Sequence, residues 1–481
     1  GAAWNSYYRD AAGRTLTPEL LLNDETLVRV DTGKLENYLR VTRADGTNVY
    51  RWISAPEGVD VPFNMHRHDV RDAPRLQPFS LGSGACKQFW VTLEVPPAAE
   101  GRYAGQIHVR HGGSLLASVP LVVRVLPFSL PDPMTNYDLS RRYYASSYCE
   151  GELARYLAYN GQDTAKAERR LANEYACYRR HNLLYPHLRP LRSEADIPVY
   201  RRQLEIYRDA GLATDTLFNA VPSHDRAFVA ALRDGKVSND APPEAWCRLV
   251  DAQVAVIRQT LSRLPEIYCF GWDEPGMSTL RAQRSSWRFL HARGLKTFST
   301  SRPTHLLHGG YNEDFANNAG LVKRADAAVW HAFGARMSCY ADPHTGPENP
   351  DFARRVHGLQ IYLQDADGTM NYETDVYNDN WNDFNAKDPN MRMLVMVYAG
   401  TDGPIGTLQF EGFREAIDDV RYATLLRQLA GKGVAAADPD IRYACKAALQ
   451  WLAGVKGDTC DLEAVRLEMI ARILRLRQSV L

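Results

Sequence analysis

The sequence predicts an α/β protein in three parts: an N-terminal β-sandwich over residues 1–133, a (β/α)8 TIM-type barrel over 134–430, and a C-terminal helical hairpin packed on the barrel over 431–481. Three observations predict this organisation. Short alternating runs fill the first part, strand-like runs alternate with helical runs in the second, and apolar residues recur at i, i+3 and i+4 in the third.

The composition is that of an ordinary globular protein. The 481 residues are 45% hydrophobic and 24% charged, and this length suits two or three domains. Lys and Arg together number 57, as do Asp and Glu, so the formal net charge is zero. This balance argues against a nucleic-acid partner, and no apolar run approaches the roughly 18 residues of a membrane span.

The predicted β-sandwich consists of short strands separated by turn residues such as Asp45-Gly46 and His111-Gly112-Gly113. Its predicted strands are Thr26–Val30, Val49–Ile53, Phe89–Val95, Gln106–His111 and Val119–Leu126. The proline-dense segment Pro127–Pro133 is typical of a linker and ends this domain.

Eight strand-like runs predict the barrel, with helical patterns between most of them. The predicted strands are Tyr137–Ser146, Leu183–His187, Thr216–Val221, Ile267–Trp272, Lys296–Thr300, Ala328–Phe333, Thr369–Glu373 and Met393–Tyr398. The predicted helices are Thr164–Arg180, Ile197–Asp209, Glu244–Arg263, Thr279–Arg293, Asn312–Lys323, Asp351–Leu363 and Phe410–Leu429. The hairpin that follows comprises Ile441–Leu452 and Leu462–Leu476, with Gly454–Thr459 between them.

The segment Glu266–Pro275 carries the candidate chemistry. An apolar strand ends at Gly271-Trp272, and two carboxylates, Asp273 and Glu274, follow directly. Barrel enzymes keep their catalytic groups at the C-terminal ends of strands, and glycosidic bond cleavage needs a pair of carboxyl groups in different environments. Pro275 disfavours α geometry at Glu274 and predicts an extended backbone there. The alternative is an exposed helix start, where acids are also favoured.

A third acid and several aromatic residues extend the predicted site. Glu373 ends the seventh predicted strand and is the candidate for a nucleophile. Aromatic rings stack on sugars, and several lie near the ends of predicted strands, although each taken singly is more often a core residue. The candidate substrate-binding residues are Trp272, Trp330, His331, Tyr372, Tyr377, Trp381 and Tyr398.

The eight cysteines show no CxxC spacing, so no zinc site is predicted. Cys445 and Cys460 flank the turn of the hairpin. The sequence allows either a disulfide between them or two free thiols. The aspartates of residues 377–384 do not have EF-hand spacing. We therefore predict no metal and no cofactor.

Three segments resemble glycoside hydrolase family 123 and its bacterial relatives of mostly unassigned activity. They are WVTLEVPPAAEGRYAGQIHVR (residues 90–110), FGWDEP (residues 270–275) and GTLQFEGFREAIDDVRYATLL (residues 406–426). The run YNDNWNDF (residues 377–384) resembles a segment of the unassigned relatives. Where that family has a tryptophan-rich run at strand seven, this sequence has GTMNYETD (residues 368–375).

The resemblance implies a retaining, exo-acting β-N-acetylgalactosaminidase that acts on an oligosaccharide or glycoconjugate. In such an enzyme the 2-acetamido oxygen of the substrate attacks the anomeric carbon. Glu274 corresponds to the acid/base and Asp273 to the residue that orients the acetamido group. For an enzyme of this kind we expect a secreted or periplasmic location.

Two alternatives remain at this point. In the first, Glu274 is the acid/base and Glu373 is the nucleophile of a retaining glycosidase that needs no acetamido group. In the second, the chain is a glycan-binding protein without catalytic activity.

Overall fold

The computed structural model describes residues 2–10, 13–54, 68–95, 100–340, 349–375, 381 and 395–480. Its N-terminal strands are β1 (Ala2–Asp10), β2 (Gly13–Leu22), β3 (Val28–Asp31), β4 (Glu36–Arg43), β5 (Asn48–Trp52), β6 (His68–Asp69), β7 (Gly101–His111) and β8 (Ser114–Val125). They pair as β1-β2, as β3-β4-β5 with β6 on β4, and as β7-β8.

The predicted β-sandwich is wrong. The described N-terminal strands form three small antiparallel sheets. The hairpin β7-β8 is exposed over most of its length, and Leu116 retains 72% of its accessible surface. A sandwich requires two sheets that bury their inner faces against each other, and this hairpin buries neither face.

The middle of the chain alternates strands and helices. In order, its elements are β9 (Tyr144–Ser147), α1 (Leu153–Tyr159), α2 (Thr164–Arg180), β10 (Tyr185–Pro186), α3 (Ile197–Asp209), β11 (Thr216–Phe218), α4 (Arg226–Arg233), α5 (Glu244–Leu261), β12 (Glu266–Phe270), α6 (Met277–His291), β13 (Lys296–Thr300), α7 (His305–His308), β14 (Phe315–Asn318), α8 (Arg324–Ala332), β15 (Arg336–Cys339), α9 (Pro350–Arg355) and β16 (Gly368–Asn371).

The predicted closed (β/α)8 barrel is also wrong. The parallel strands form a five-stranded sheet of order β11-β12-β13-β14-β15, curved as a half-barrel, and a separate three-stranded sheet of order β10-β9-β16. Two backbone hydrogen bonds join the sheets at each junction. They run from Leu188 N to Phe218 O at 2.9 Å and Ala213 N to Leu184 O at 3.1 Å, and from Asp367 N to Met337 O at 2.8 Å and Tyr372 N to Tyr340 O at 3.4 Å. The predicted eighth strand is instead the short β17 (Val397–Tyr398), which pairs antiparallel with β18 (Ile405–Gly406).

Two predicted elements exchange type. The run Ala328–Phe333, predicted as a strand, lies mostly in helix α8, and the segment Asn312–Lys323, predicted as a helix, contains strand β14. Short apolar runs fit a buried strand and a buried helix equally well. Strand β15 was not predicted; its sequence RMSC alternates polar and apolar residues, but over four positions only.

Side chains from both parallel sheets pack in one buried cluster rich in aromatic rings. Its members are Tyr144, Tyr185, Phe218, Tyr268, Phe298, Phe315 and Met370. A larger core lies between the strands and the helices. The two sheets therefore share an apolar interior, although their backbones do not form one ladder.

The C-terminal part is helical, with α10 (Leu408–Gly433), α11 (Pro439–Ala453) and α12 (Leu462–Val480). Arg354 and Arg466 both bind the buried Asp419 of α10, which ties α12 to the rest of the protein. Cys445 and Cys460 are free thiols. None of the helices in the described ranges combines the length and apolar character that crossing a bilayer requires.

Candidate active site

Three strands of the five-stranded sheet place four polar side chains together at their C-terminal ends. Asp273 and Glu274 follow β12, Thr300 ends β13, and Tyr340 follows β15. The Thr300 hydroxyl donates to Asp273 Oδ1 at 3.1 Å and accepts from the backbone N–H of Glu274. The Tyr340 hydroxyl donates to Glu274 Oε1 at 2.7 Å. Each carboxylate is thus held by a hydroxyl from another strand of the same sheet.

The backbone at Glu274 is left-handed, with φ 43°. The extended conformation that Pro275 predicts is therefore wrong. The backbone N–H of Glu274 donates to Thr300 and its carboxylate accepts from Tyr340, and these two bonds outweigh the local preference. Non-glycine residues in this region of φ/ψ space store strain, and such residues concentrate at functional sites.

The two carboxylates are exposed, but their surroundings are not bulk water. Desolvation raises the pKa of Asp273, and the charge of Glu274 acts in the same direction. Desolvation and the bond to Glu274 raise the pKa of Tyr340, so this phenol stays protonated and remains a donor. The two carboxyl groups therefore lie in different surroundings: Asp273 is partly desolvated, and Glu274 accepts a fixed hydrogen bond from a phenol.

Tyr148 brings the three-stranded sheet to the same place. It follows β9, and its hydroxyl accepts from Asn317 Nδ2 at 3.0 Å, at the end of β14. Its ring lies edge-on to Phe270, 5.6 Å away, and to Tyr372, 5.7 Å away. Burial raises the pKa of Tyr148, and the charge of Asp273 adds to the effect. The strand ends of the two sheets therefore surround one site.

Glu373 lies beyond the end of β16 and retains only 6% of its surface. Its backbone carbonyl accepts from Asn371 Nδ2 at 3.3 Å. Its neighbour Tyr372 is 39% exposed and contacts Tyr148. The structure thus places Tyr372 at the edge of the site, while Glu373 is buried beside it.

Trp272 packs against His224 and the start of helix α4. Its indole lies 4.7 Å from the guanidinium of Arg226 and 5.7 Å from the ring of His224, and its backbone N–H donates to Gln283 at 2.7 Å. These contacts fix the loop that carries Asp273. A direct contact of Trp272 with a sugar stays a prediction.

Four of the remaining predicted aromatic residues, Trp330, His331, Trp381 and Tyr398, are not brought to this site. Trp330 is fully buried in the core on α8, and His331, on the same helix, bonds to the buried Asp367 at 2.7 Å; their predicted position on a strand is wrong. Trp381 and Tyr398 are buried against residues of the N-terminal strands. Tyr377 lies outside the described residues.

A buried carboxyl group supports the site from behind. Glu313 retains 3% of its surface and accepts hydrogen bonds from the hydroxyls of Ser299 and Ser301, which flank Thr300. Burial raises the pKa of Glu313. Because successive side chains of a strand point to opposite faces, Glu313 holds the face of β13 opposite to the one that presents Thr300.

Sequence reasoning missed four residues of the site: Thr300, Tyr340, Tyr148 and Asn317. Thr300 ends a correctly predicted strand, so its position at a strand end was the available signal. Tyr340 and Asn317 depend on strands that were unpredicted or predicted as a helix, and the sequence offered no comparable signal for them. The described residues contain no group of three or more side chains that could hold a metal ion.

A scan against models of protein families found no matching family, and a search of curated proteins found no match.

Proposed function

We propose that this protein is a glycoside hydrolase that uses Glu274 as its acid/base. The observation that carries the proposal is the pair of exposed carboxylates at the strand ends, held in place by Thr300 and Tyr340. Asp273 is partly desolvated while Glu274 bonds to a phenol, and these different surroundings support a division of labour between the two acids, which glycosidic cleavage requires.

In the proposed mechanism the substrate supplies its own nucleophile. Glu274 gives a proton to the glycosidic oxygen while the 2-acetamido oxygen attacks the anomeric carbon, and the leaving group departs as an alcohol. Glu274 then takes a proton from the water that opens the cyclic intermediate, which restores the enzyme. Asp273 orients the acetamido group. Tyr340 occupies Oε1 of Glu274, so that Oε2 faces the substrate.

The low exposure of Glu373 supports substrate assistance over the two-carboxylate alternative. A protein nucleophile has to reach the anomeric carbon, and Glu373 retains 6% of its surface. An acetamido group needs no such access, because it is already tethered to the sugar and has a high effective concentration. The β-N-acetylgalactosaminide specificity rests on the family resemblance alone and is part of the proposal.

A screen of nitrophenyl glycosides, beginning with the N-acetyl-β-D-galactosaminide, tests the proposal. We expect turnover of a 2-acetamido sugar, inhibition by a thiazoline analogue, and loss of turnover in Glu274→Ala. Glu100→Gln, at an exposed position outside the site, is the control and should keep wild-type activity. Absence of turnover for every glycoside would favour a binding protein. Turnover that depends on Glu373 and is rescued by azide would favour the two-carboxylate mechanism.

A further inference from the structure

A cavity of about 330 Å³ lies at the same edge of the three-stranded sheet as Tyr148. Two residues that line it, Glu150 and Arg189, come two positions after Tyr148 and His187, whose rings are 4.4 Å apart. Two residues of extended chain span about 7 Å. The cavity wall therefore begins within about 7 Å of the Tyr148 backbone, next to the candidate active site.

The polar lining of this cavity carries both signs of charge in equal number. Arg155, Arg189 and Arg192 face Glu150, Glu152 and Asp196. Glu150 pairs with Arg189 and, at 3.4 Å, with Arg155, while Arg192 lies 3.5 Å from Glu152.

Because the formal charges of the lining cancel, it offers no net attraction to an anion. It offers hydrogen-bond donors and acceptors in close alternation. Hydroxyl groups, which donate and accept at once, match such a lining.

Small and aromatic side chains of α1 form the rest of the wall. Ala154 and Ala158 are four residues apart, so they lie on the same face of the helix, and Tyr159 stands beside them. Alanines leave room for a ring above the helix, and a tyrosine offers a surface on which a ring can stack. The volume is at the lower end of the range for small-molecule sites.

We propose that this cavity binds a second, neutral saccharide unit of the substrate, next to the sugar held at Asp273 and Glu274. The proposal rests on the proposed function for the neighbouring site, and it adds a substrate class: an oligosaccharide whose second unit carries hydroxyl groups and no acidic group.

Filling the cavity tests the proposal without touching the carboxylates. Ala158 is exposed, so Ala158→Trp should fold while its indole occupies the space above α1. The matched control is Ala464→Trp, at an exposed position of α12. A second variant, Arg192→Gln, removes a side chain that is 82% exposed and makes one long ion pair. Thermal melting checks that all three variants are folded.

Calorimetric titration with chitobiose, lactose, cellobiose and a glucuronic acid disaccharide gives a readout that does not need turnover. In a Glu274→Gln background we expect at least one neutral disaccharide to bind. Ala158→Trp should weaken this binding at least tenfold and Arg192→Gln about fivefold, while Ala464→Trp should leave it unchanged. Turnover of a nitrophenyl monosaccharide should be the same in the control Ala464→Trp and wild type.

The outcomes separate this proposal from the proposed function. If the wild-type protein turns over no glycoside but a disaccharide binds and Ala158→Trp weakens that binding, the cavity proposal is supported and the hydrolase proposal is overturned. If the wild-type protein turns over a glycoside and Ala158→Trp leaves disaccharide binding unchanged, only the cavity proposal is overturned. Binding of the acidic disaccharide only, or of none of the four, would also overturn it.

Discussion

The carboxyl ends of the two parallel sheets surround one site but treat their acids differently. On the five-stranded sheet, Asp273 and Glu274 are exposed and each bonds to a hydroxyl. Beyond the end of the three-stranded sheet, Glu373 retains 6% of its surface. A ligand can reach an exposed acid, whereas a buried acid is shielded by the protein around it. Accessibility therefore favours Asp273 and Glu274 over Glu373 for the proposed chemistry, although all three acids lie beyond strand ends.

Exchanging the acid on each sheet for its amide tests this difference most strongly. We expect Glu274→Gln to lower kcat/KM on the most active nitrophenyl glycoside about 1,000-fold, since general acid–base catalysis contributes about 10²–10⁴. Glu373→Gln should lower kcat/KM less than tenfold, because the buried Glu373 transfers no proton in the proposed mechanism.

Both variants need a melting curve, so that a loss of activity is not a loss of fold. If Glu373→Gln loses more activity than Glu274→Gln, and azide restores turnover to Glu373→Gln, then the buried Glu373 is the nucleophile and the proposed assignment of the acids is wrong.

The second prediction concerns the cost of burying an acid near the three-stranded sheet. Glu174 of α2 is buried, accepts from the Tyr156 hydroxyl, and lies close to Gly151 in the loop after β9. Burial and the charge of Asp375 raise its pKa from 4.5 to about 8.

The folded state therefore holds a proton that the unfolded state has lost between pH 4.5 and 8. Stability should fall as the pH rises through this range and level off above it. The fall should be on the order of a few kcal/mol, measured by urea unfolding at pH 5, 7 and 9.

Glu174→Gln should flatten this dependence, because the amide keeps the shape and has no charge to bury. Glu168→Gln is the matched control on the same helix, where an exposed ion pair with Arg202 lowers the pKa. It should leave the slope between pH 5 and 9 unchanged. If the free energy of unfolding falls equally with pH in Glu174→Gln and wild type, Glu174 is not a neutral acid in the folded protein.

The third prediction returns to the five-stranded sheet and removes one hydroxyl. Tyr340→Phe deletes the donor to Glu274 Oε1, and hydrogen bonds to charged groups contribute about 1.5–3 kcal/mol. We expect kcat to fall about 10- to 100-fold with little change in KM, because the hydroxyl positions the acid and does not hold the sugar. Tyr443→Phe, at a tyrosine that is 77% exposed, is the control. A change confined to KM would assign Tyr340 to substrate binding.

The sequence predicted the part of this site that local pattern determines. Strand β13 has the predicted bounds Lys296–Thr300, and β12 differs from its prediction by one residue at its start and two at its end. Strand β12 is an apolar and aromatic run, β13 is rich in threonine and phenylalanine, which favour strands, and Asp273 and Glu274 follow β12. Their position needed no knowledge of the rest of the chain.

What the sequence could not predict depends on contacts between distant residues. Strand β15 contains Arg336, whose guanidinium is held inside by Asp367 at 3.5 Å and by the ring of Tyr144 at 5.2 Å. An alternation of four residues is too short to identify a strand, and the contacts that hold Arg336 come from distant segments, so the position of Tyr340 was not predicted. The separation into two sheets likewise depends on how edges meet, which periodicity does not encode.

The smallest expected effect is that of a Thr300 variant, which tests how far Asp273 and Glu274 depend on the hydroxyl of Thr300. Thr300→Val keeps the shape of the side chain but removes the bond to Asp273 Oδ1 and the acceptor for the Glu274 N–H. The bond from Thr300 lowers the pKa of Asp273 against desolvation, so its loss should raise that pKa further.

We expect kcat/KM to fall about fivefold, which corresponds to about 1 kcal/mol and the typical net contribution of one hydrogen bond. The limb of the pH–rate profile that follows Asp273 should move to higher pH, and Thr300→Ser should restore both quantities. A fall without a shift of the profile would mean that Thr300 acts only through the backbone of Glu274. Thr300 would then act by holding the left-handed backbone at Glu274 and not by changing the pKa of Asp273.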